Sequence, residues 1–234
     1  MYKIVKIILA LVTSIGTVLL PRISSIIGEG KKHEVAGIIQ KTFKFVTYLS
    51  MPITVGLMSV AKPLVSWYLE SSYSYVGDLV SIMAVIIIAV SWANIIGVQY
   101  LIGTRQEEKY TVSIIISAVA NVIMNIILIK YLGAFGATLS LIAAEFIGII
   151  LQFVFVRKQL PVVAMMKSVL KYVVVAAIMG IVVSFIGGII ANPFMANIVQ
   201  GIVGVVIYVG ILFVIKDEVQ QEVIERVILM IKKK

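Results

Sequence analysis

Only one acidic residue lies deep within an apolar stretch of this 234-residue chain, and it is Glu145. A carboxylate at mid-bilayer costs about 2.5–3.5 kcal/mol on insertion scales, so Glu145 must face protein or water rather than lipid. Two chemistries suit it: a proton or cation site, or a hydrogen-bonded carboxyl that ties its helix to a neighbour. Ser113, Ser117, Asn121 and Asn125 recur at steps of four, which places all four on one helical face. Gly136, Ser140, Ala144, Gly148 and Gln152 do the same further on, with Thr138, Glu145 and Gln152 at heptad spacing beside them. In lipid such stripes let helices approach closely and bond across the gap. Two asparagines on one face equally suit the wall of a wet cavity, and both readings stand. Lys62 interrupts another apolar stretch about two turns from its end; it can snorkel to the interface or pair with an anionic substrate head. The chain has no cysteine and one histidine, His33. Disulfides, thiolate nucleophiles, iron–sulfur clusters and multi-histidine metal centres are therefore excluded, and neither an enzyme nor a bound cofactor is expected.

The elements that must position these residues follow from composition. The chain is 61% hydrophobic and 13% charged, with a mean hydropathy of +1.12. Soluble domains run at about 45–50% apolar and about 25% charged, so this composition cannot clothe a water-facing surface. A ~30 Å hydrocarbon core needs about 20 apolar residues of helix. Seven segments qualify, at residues 4–20, 45–69, 79–102, 111–129, 134–156, 172–190 and 195–215. Unbroken apolar runs of this length disfavour a barrel, whose strands alternate. The expected fold is all-α: a polytopic bundle of about seven membrane helices in one lobe spanning residues 1–216. A basic, amphipathic cytoplasmic tail occupies 217–234. Val35, Ile38, Ile39 and Phe43 against Lys31, Lys32, Lys41 and Lys44 predict a separate helix lying in the membrane interface. Gly180, Ser184 and Gly188 form a small-residue face suited to helix packing.

The net charge of +9 lies between apolar segments rather than on one face, so nucleic acid is not an expected partner and the lipid bilayer is. Sixteen of the 20 Lys and Arg residues fall on one side of the seven-helix arrangement. The positive-inside rule puts that side in the cytoplasm of a bacterial inner membrane, with the amino terminus out and the carboxyl terminus in. Lys3 and Lys6 contradict this pattern, as though an upstream segment preceded them.

Thr17-Val18-Leu19-Leu20-Pro21-Arg22-Ile23-Ser24 closes the first apolar helix and is followed by Gly28-Glu29-Gly30-Lys31-Lys32. Pro52 and Gly56 come next, then Gly97-Val98-Gln99-Tyr100-Leu101-Ile102-Gly103-Thr104, Asn121 and Asn125, and Tyr131-Leu132-Gly133-Ala134-Phe135-Gly136-Ala137 opening the helix of Glu145. In this order and spacing the sequence resembles the oligosaccharide flippases of the multidrug, oligosaccharidyl-lipid and polysaccharide exporter superfamily, over residues 1 to about 158. It departs from them at Tyr68-Leu69-Glu70-Ser71-Ser72, which lacks the glycine often found there. The resemblance is to the second lobe alone of a two-lobed exporter. It implies a flippase, of O-antigen or capsule type, that exports lipid-linked oligosaccharide repeat units by alternating access. It also implies a missing amino-terminal lobe, or a second copy of the chain, as partner. The candidate pathway residues are then Glu145, Asn121, Asn125, Ser117, Gln152 and Lys62. A cation-coupled drug exporter lobe and an inactive fragment are the alternatives.

Overall fold

The computed structural model describes residues 19–29, 32–68 and 74–232. The expected first helix, 4–20, and the charges Lys3 and Lys6 fall almost wholly outside them. Among the described residues the fold is entirely helical. Nine α-helices are described: α1 (Leu19–Gly28), α2 (Lys32–Tyr68), α3 (Ser74–Met83), α4 (Ile86–Ala93), α5 (Glu107–Leu132), α6 (Ala134–Val156), α7 (Val162–Ile189), α8 (Pro193–Val214) and α9 (Glu218–Lys232). A π-helical segment, Asn94–Ile102, continues α4. Six spans are long and apolar enough to cross a membrane: Glu34–Tyr68, Tyr75–Ile102, Glu107–Leu132, Ala134–Val156, Val162–Ile189 and Pro193–Val214.

The chain signals its own breaks. Gly133, at φ 55°, both ends α5 and begins α6, so these helices fold back on each other through a single residue. Gly136 sits so close to the end of α5 that a β-carbon there would lie 2.2 Å from the Leu128 carbonyl oxygen. Asn192 caps α8, accepting from the amides of Phe194 (3.0 Å) and Met195 (3.2 Å), with Pro193 in the first turn.

Helix α2 is the central post. It packs on α7 and α8 along one side and on α3, α4 and the π segment along the other, while α6 joins the second group and α5 lies outermost on α6. Phe43 anchors the core, 5.3 Å from Trp92 and 5.8 Å from Phe153 between ring centroids.

Three expectations change here. The apolar stripe Val35, Ile39 and Phe43 does not lie in the membrane interface: all three residues are buried within the protein, and α2 runs unbroken from Lys32 to Tyr68. The stripe continues the inner face of the span at steps of four and three, so the core captures it before lipid can. At 37 residues the helix is about 55 Å long, more than a bilayer needs. Likewise α7 begins at Val162 rather than 172, because Met165, Val169 and Tyr172 are buried on one face. Third, the described part of α1 carries on through Pro21 instead of turning there, with Ile23 buried against Gly103.

Candidate functional site

The serine and asparagine stripe of α5 faces the glycine and glutamine stripe of α6. Ser117 donates to the carbonyl of Ala144, and the side-chain amide of Gln152 donates to Ser113 Oγ at 3.2 Å. Gly148 makes room: a β-carbon there would lie 3.2 Å from Ser117 Oγ. Gly97 brings the π segment against the same seam, its missing β-carbon falling 2.7 Å from the Tyr110 ring and 2.9 Å from Gln152 Oε1. Asn125 donates to Asn121 at 2.9 Å, one turn along the same helix. Not every polar atom is satisfied: Asn121 Nδ2 and Gln152 Oε1 are buried without a hydrogen-bond partner among the described residues.

The structure therefore brings Ser113, Ser117 and Gln152 together and places Asn121 and Asn125 further along the same face. Glu145 is half-buried on α6, two turns and about 10 Å before Gln152. It takes part in none of the ion pairs Lys44–Glu218, Lys62–Asp78 and Lys171–Asp217. Lys62 stands apart from the seam, 2.9 Å from Asp78 with both side chains well exposed, and so bridges α2 to α3. The small-residue face of α7 divides. Gly180 is buried against Val55 and its carbonyl accepts from Ser59 at 3.3 Å, whereas Ser184 and Gly188 are exposed.

A second feature was not anticipated from the sequence. Helices α2, α7 and α8 enclose an open groove of about 540 Å³, lined by apolar groups such as Ile53, Leu57, Met179 and Val205. It extends from Tyr48 to Leu64 on α2, about 24 Å of helix. Gly56, Gly201 and Gly204 lie along it, and Pro52 sits within α2 beside it. Polar groups stand only toward its ends. At one, Asn197, with its side-chain amide assigned so that the oxygen faces the donors, accepts from the Leu64 amide (3.1 Å) and Trp67 Nε1 (2.7 Å) and donates to Gln200 (3.3 Å). At the other, Tyr208 donates to the Tyr48 carbonyl at 2.8 Å.

A buried carboxylate lies just beyond that second end. Asp217 accepts from the amides of Val219 (3.0 Å) and Gln220 (3.1 Å), capping α9, and from the Tyr172 hydroxyl (3.3 Å), and it pairs with Lys171. Its burial is unexpected for the first residue of a polar tail, yet Asp217-Glu218-Val219-Gln220 is a legible capping pattern. Beside it the exposed Glu218 receives a hydrogen bond from Lys44, whose ammonium holds the Glu218 carboxyl below the usual carboxylate range.

An all-helical lobe with six membrane-length helices, an apolar groove and a polar interhelical seam defines a class, the multi-pass membrane proteins. A family model described as Lipid II flippase MurJ matches residues 4–205. The chain belongs to the MurJ lipid II flippase family, within the exporter superfamily its motifs resemble. The flippase resemblance is thereby shown at the level of this family, and nothing in these matches shows the O-antigen or capsule subtype. Among its relatives, an uncharacterized membrane protein of Methanocaldococcus jannaschii is 26% identical over 203 residues, covering 87% of this chain and 40% of that protein. Lipid II flippase MurJ of Bacillus subtilis is 23% identical over 188 residues, covering 79% and 35%. The solved structure of a lipid II flippase MurJ in its inward closed conformation has the same fold, with a TM-score of 0.71 at 18% identity, covering 92% of this chain and 43% of that one. The chain thus spans less than half the length of these proteins.

Proposed function

We propose that this chain forms one lobe of a flippase that carries a lipid-linked cell-wall precursor from the inner to the outer leaflet. The cargo joins a charged, hydrated head to a long apolar tail, and no covalent bond changes. The head cannot cross hydrocarbon unaided, so it needs a polar path that opens alternately to each side. The observation that carries this reading is the groove of α2, α7 and α8: apolar over most of its length and open along its side, it suits a hydrocarbon chain that stays in the bilayer while the head moves.

In this reading the basic end of the bundle lies in the cytoplasm and the carboxyl terminus with it. An opposing lobe, separately supplied or a second copy of this chain, completes the cavity, since Ser113, Ser117 and Gln152 are already taken up between α5 and α6. Glu145, Asn121, Asn125, Ser117 and Gln152 belong to the polar path or to its packing, and Lys62 braces the far end of α2.

Complementation tests the cargo. The chain, expressed with an amino-terminal lobe from a relative, is placed in bacteria depleted of their lipid II flippase and, separately, in bacteria lacking a polysaccharide repeat-unit flippase. Rescued growth in the first, with precursor no longer accumulating on the inner leaflet, supports the proposal. Restored surface polysaccharide in the second alone assigns it to repeat units instead. Loss of rescue by Glu145→Gln at a normal protein level assigns that carboxyl to coupling, and full rescue leaves it a packing role.

A further inference from the structure

Two tyrosines line the groove at its basic end, and a third, from α7, packs against one of them. Tyr48 of α2 and Tyr208 of α8 lie 5.7 Å apart between ring centroids, and Tyr172 of α7 meets Tyr48 edge-on at 6.0 Å. Their hydroxyls are held in a chain. Tyr208 donates to the backbone of Tyr48, Tyr48 donates to Gln220 Oε1 at 2.5 Å, and Tyr172 donates to Asp217. Gln220 and Asp217 belong to the start of the tail, which thus reaches α2 through Tyr48 and α7 through Tyr172. Lys171 and Lys44 add an ion pair each, to Asp217 and Glu218. Further along the helix, Ile228 and Leu229 are 45% and 61% exposed.

We infer that the start of α9 is a strap that closes the groove at its basic end, docked through Asp217 and Gln220. When docked, it fixes the hydroxyls of Tyr48 and Tyr172 at that end, with Tyr208 tied to the Tyr48 backbone beside them. Its release takes the hydrogen-bond acceptor from Tyr48 and the carboxylate from Tyr172, and a tyrosine hydroxyl without a buried partner turns toward water. The floor then opens and water reaches the apolar channel. One turn of helix, preceded by a positive-φ residue at Lys216 (φ 53°) and capped by one aspartate, is a small enough contact to release without unfolding α8. The inference rests on the groove's geometry, and its test reads no transport.

The absence of cysteine allows single reporters, read with a charged maleimide on membrane fragments open at both faces. Ile53→Cys reports on the groove about a turn and a half beyond Tyr48, and Val219→Cys reports on strap docking, since Val219 is buried when docked. With the native strap both should label slowly. Asp217→Ala should speed labelling of both reporters at least tenfold. Gln220→Leu keeps the Asp217 cap and removes only the Tyr48 partner; it should speed the groove reporter several-fold while position 219 stays protected. The inference is overturned if position 219 becomes reactive while position 53 does not. It is equally overturned if Asp217→Ala leaves position 219 protected, or if Gln220→Leu leaves the groove reporter unchanged.

Discussion

Glycines that look alike in sequence differ sharply in what they are asked to do. A β-carbon at Gly136 would lie 2.2 Å from the Leu128 carbonyl oxygen, well inside van der Waals contact, while one at Gly188 meets nothing within 4 Å. Gly136→Ala should therefore destabilise the protein by about 1–3 kcal/mol through overpacking, and Gly188→Ala should be neutral. Thermal unfolding in detergent compares the two directly, and equal midpoints would contradict the close α5–α6 approach. Gln152 makes a related case. Its carbonyl oxygen is buried without a partner among the described residues, so Gln152→Met should cost little or even stabilise, although it breaks the bond to Ser113. Glu218 sets a pH dependence. Lys44 lowers its folded pKa, so the tie is present at neutral pH and is lost as pH falls through that lowered value, below the ordinary 4.5. The pair is exposed and its contribution small. A spin label at Val219→Cys should show modest loosening of the strap in acid, and Glu218→Gln should reduce that acid response by the share the Lys44 tie supplies.

Helix ends and helix continuity belong to the next scale. The cap on α8 is local and readable: Asn192 holds two amides, so Asn192→Ala should cost about 1 kcal/mol, and Asn192→Asp should retain most of the stability. Chemical denaturation in mixed micelles measures both. Continuity is decided by partners instead. The segment Val35–Phe43 has the charge pattern of an interfacial helix, and nothing local distinguishes one lying on lipid from one standing on a core. What raised it upright is Trp92 and Phe153, which contribute the aromatic surface that Phe43 buries. The start of α7 follows the same rule, since Lys167 and Lys171 read as loop charges until Met165, Val169 and Tyr172 are seen to share a buried face.

For the whole molecule, the prediction concerns sidedness. Sixteen of 20 basic residues on one side place Lys109 in the cytoplasm and Tyr75 outside. Single cysteines, Tyr75→Cys and Lys109→Cys, should respond oppositely to an impermeant thiol reagent on intact cells, with position 75 labelled and position 109 labelled only after lysis. The reverse pattern would invert the bundle and put the strap at the outer face.

Hydropathy by itself determined that this chain is a bundle of membrane helices, because hydrocarbon leaves the backbone few alternatives. Step-of-four patterning determined that α5 and α6 present polar faces, and the small residues at 136 and 148 allowed their close approach. Tertiary structure decided the rest. The groove arises where α2 meets α7 and α8, which begin more than ninety residues further along the chain, and no local pattern encodes a gap between distant surfaces. Burial of Asp217 was likewise decided there: a capping aspartate suits water in isolation, and only Lys171 and Tyr172, arriving from α7, make its burial tolerable.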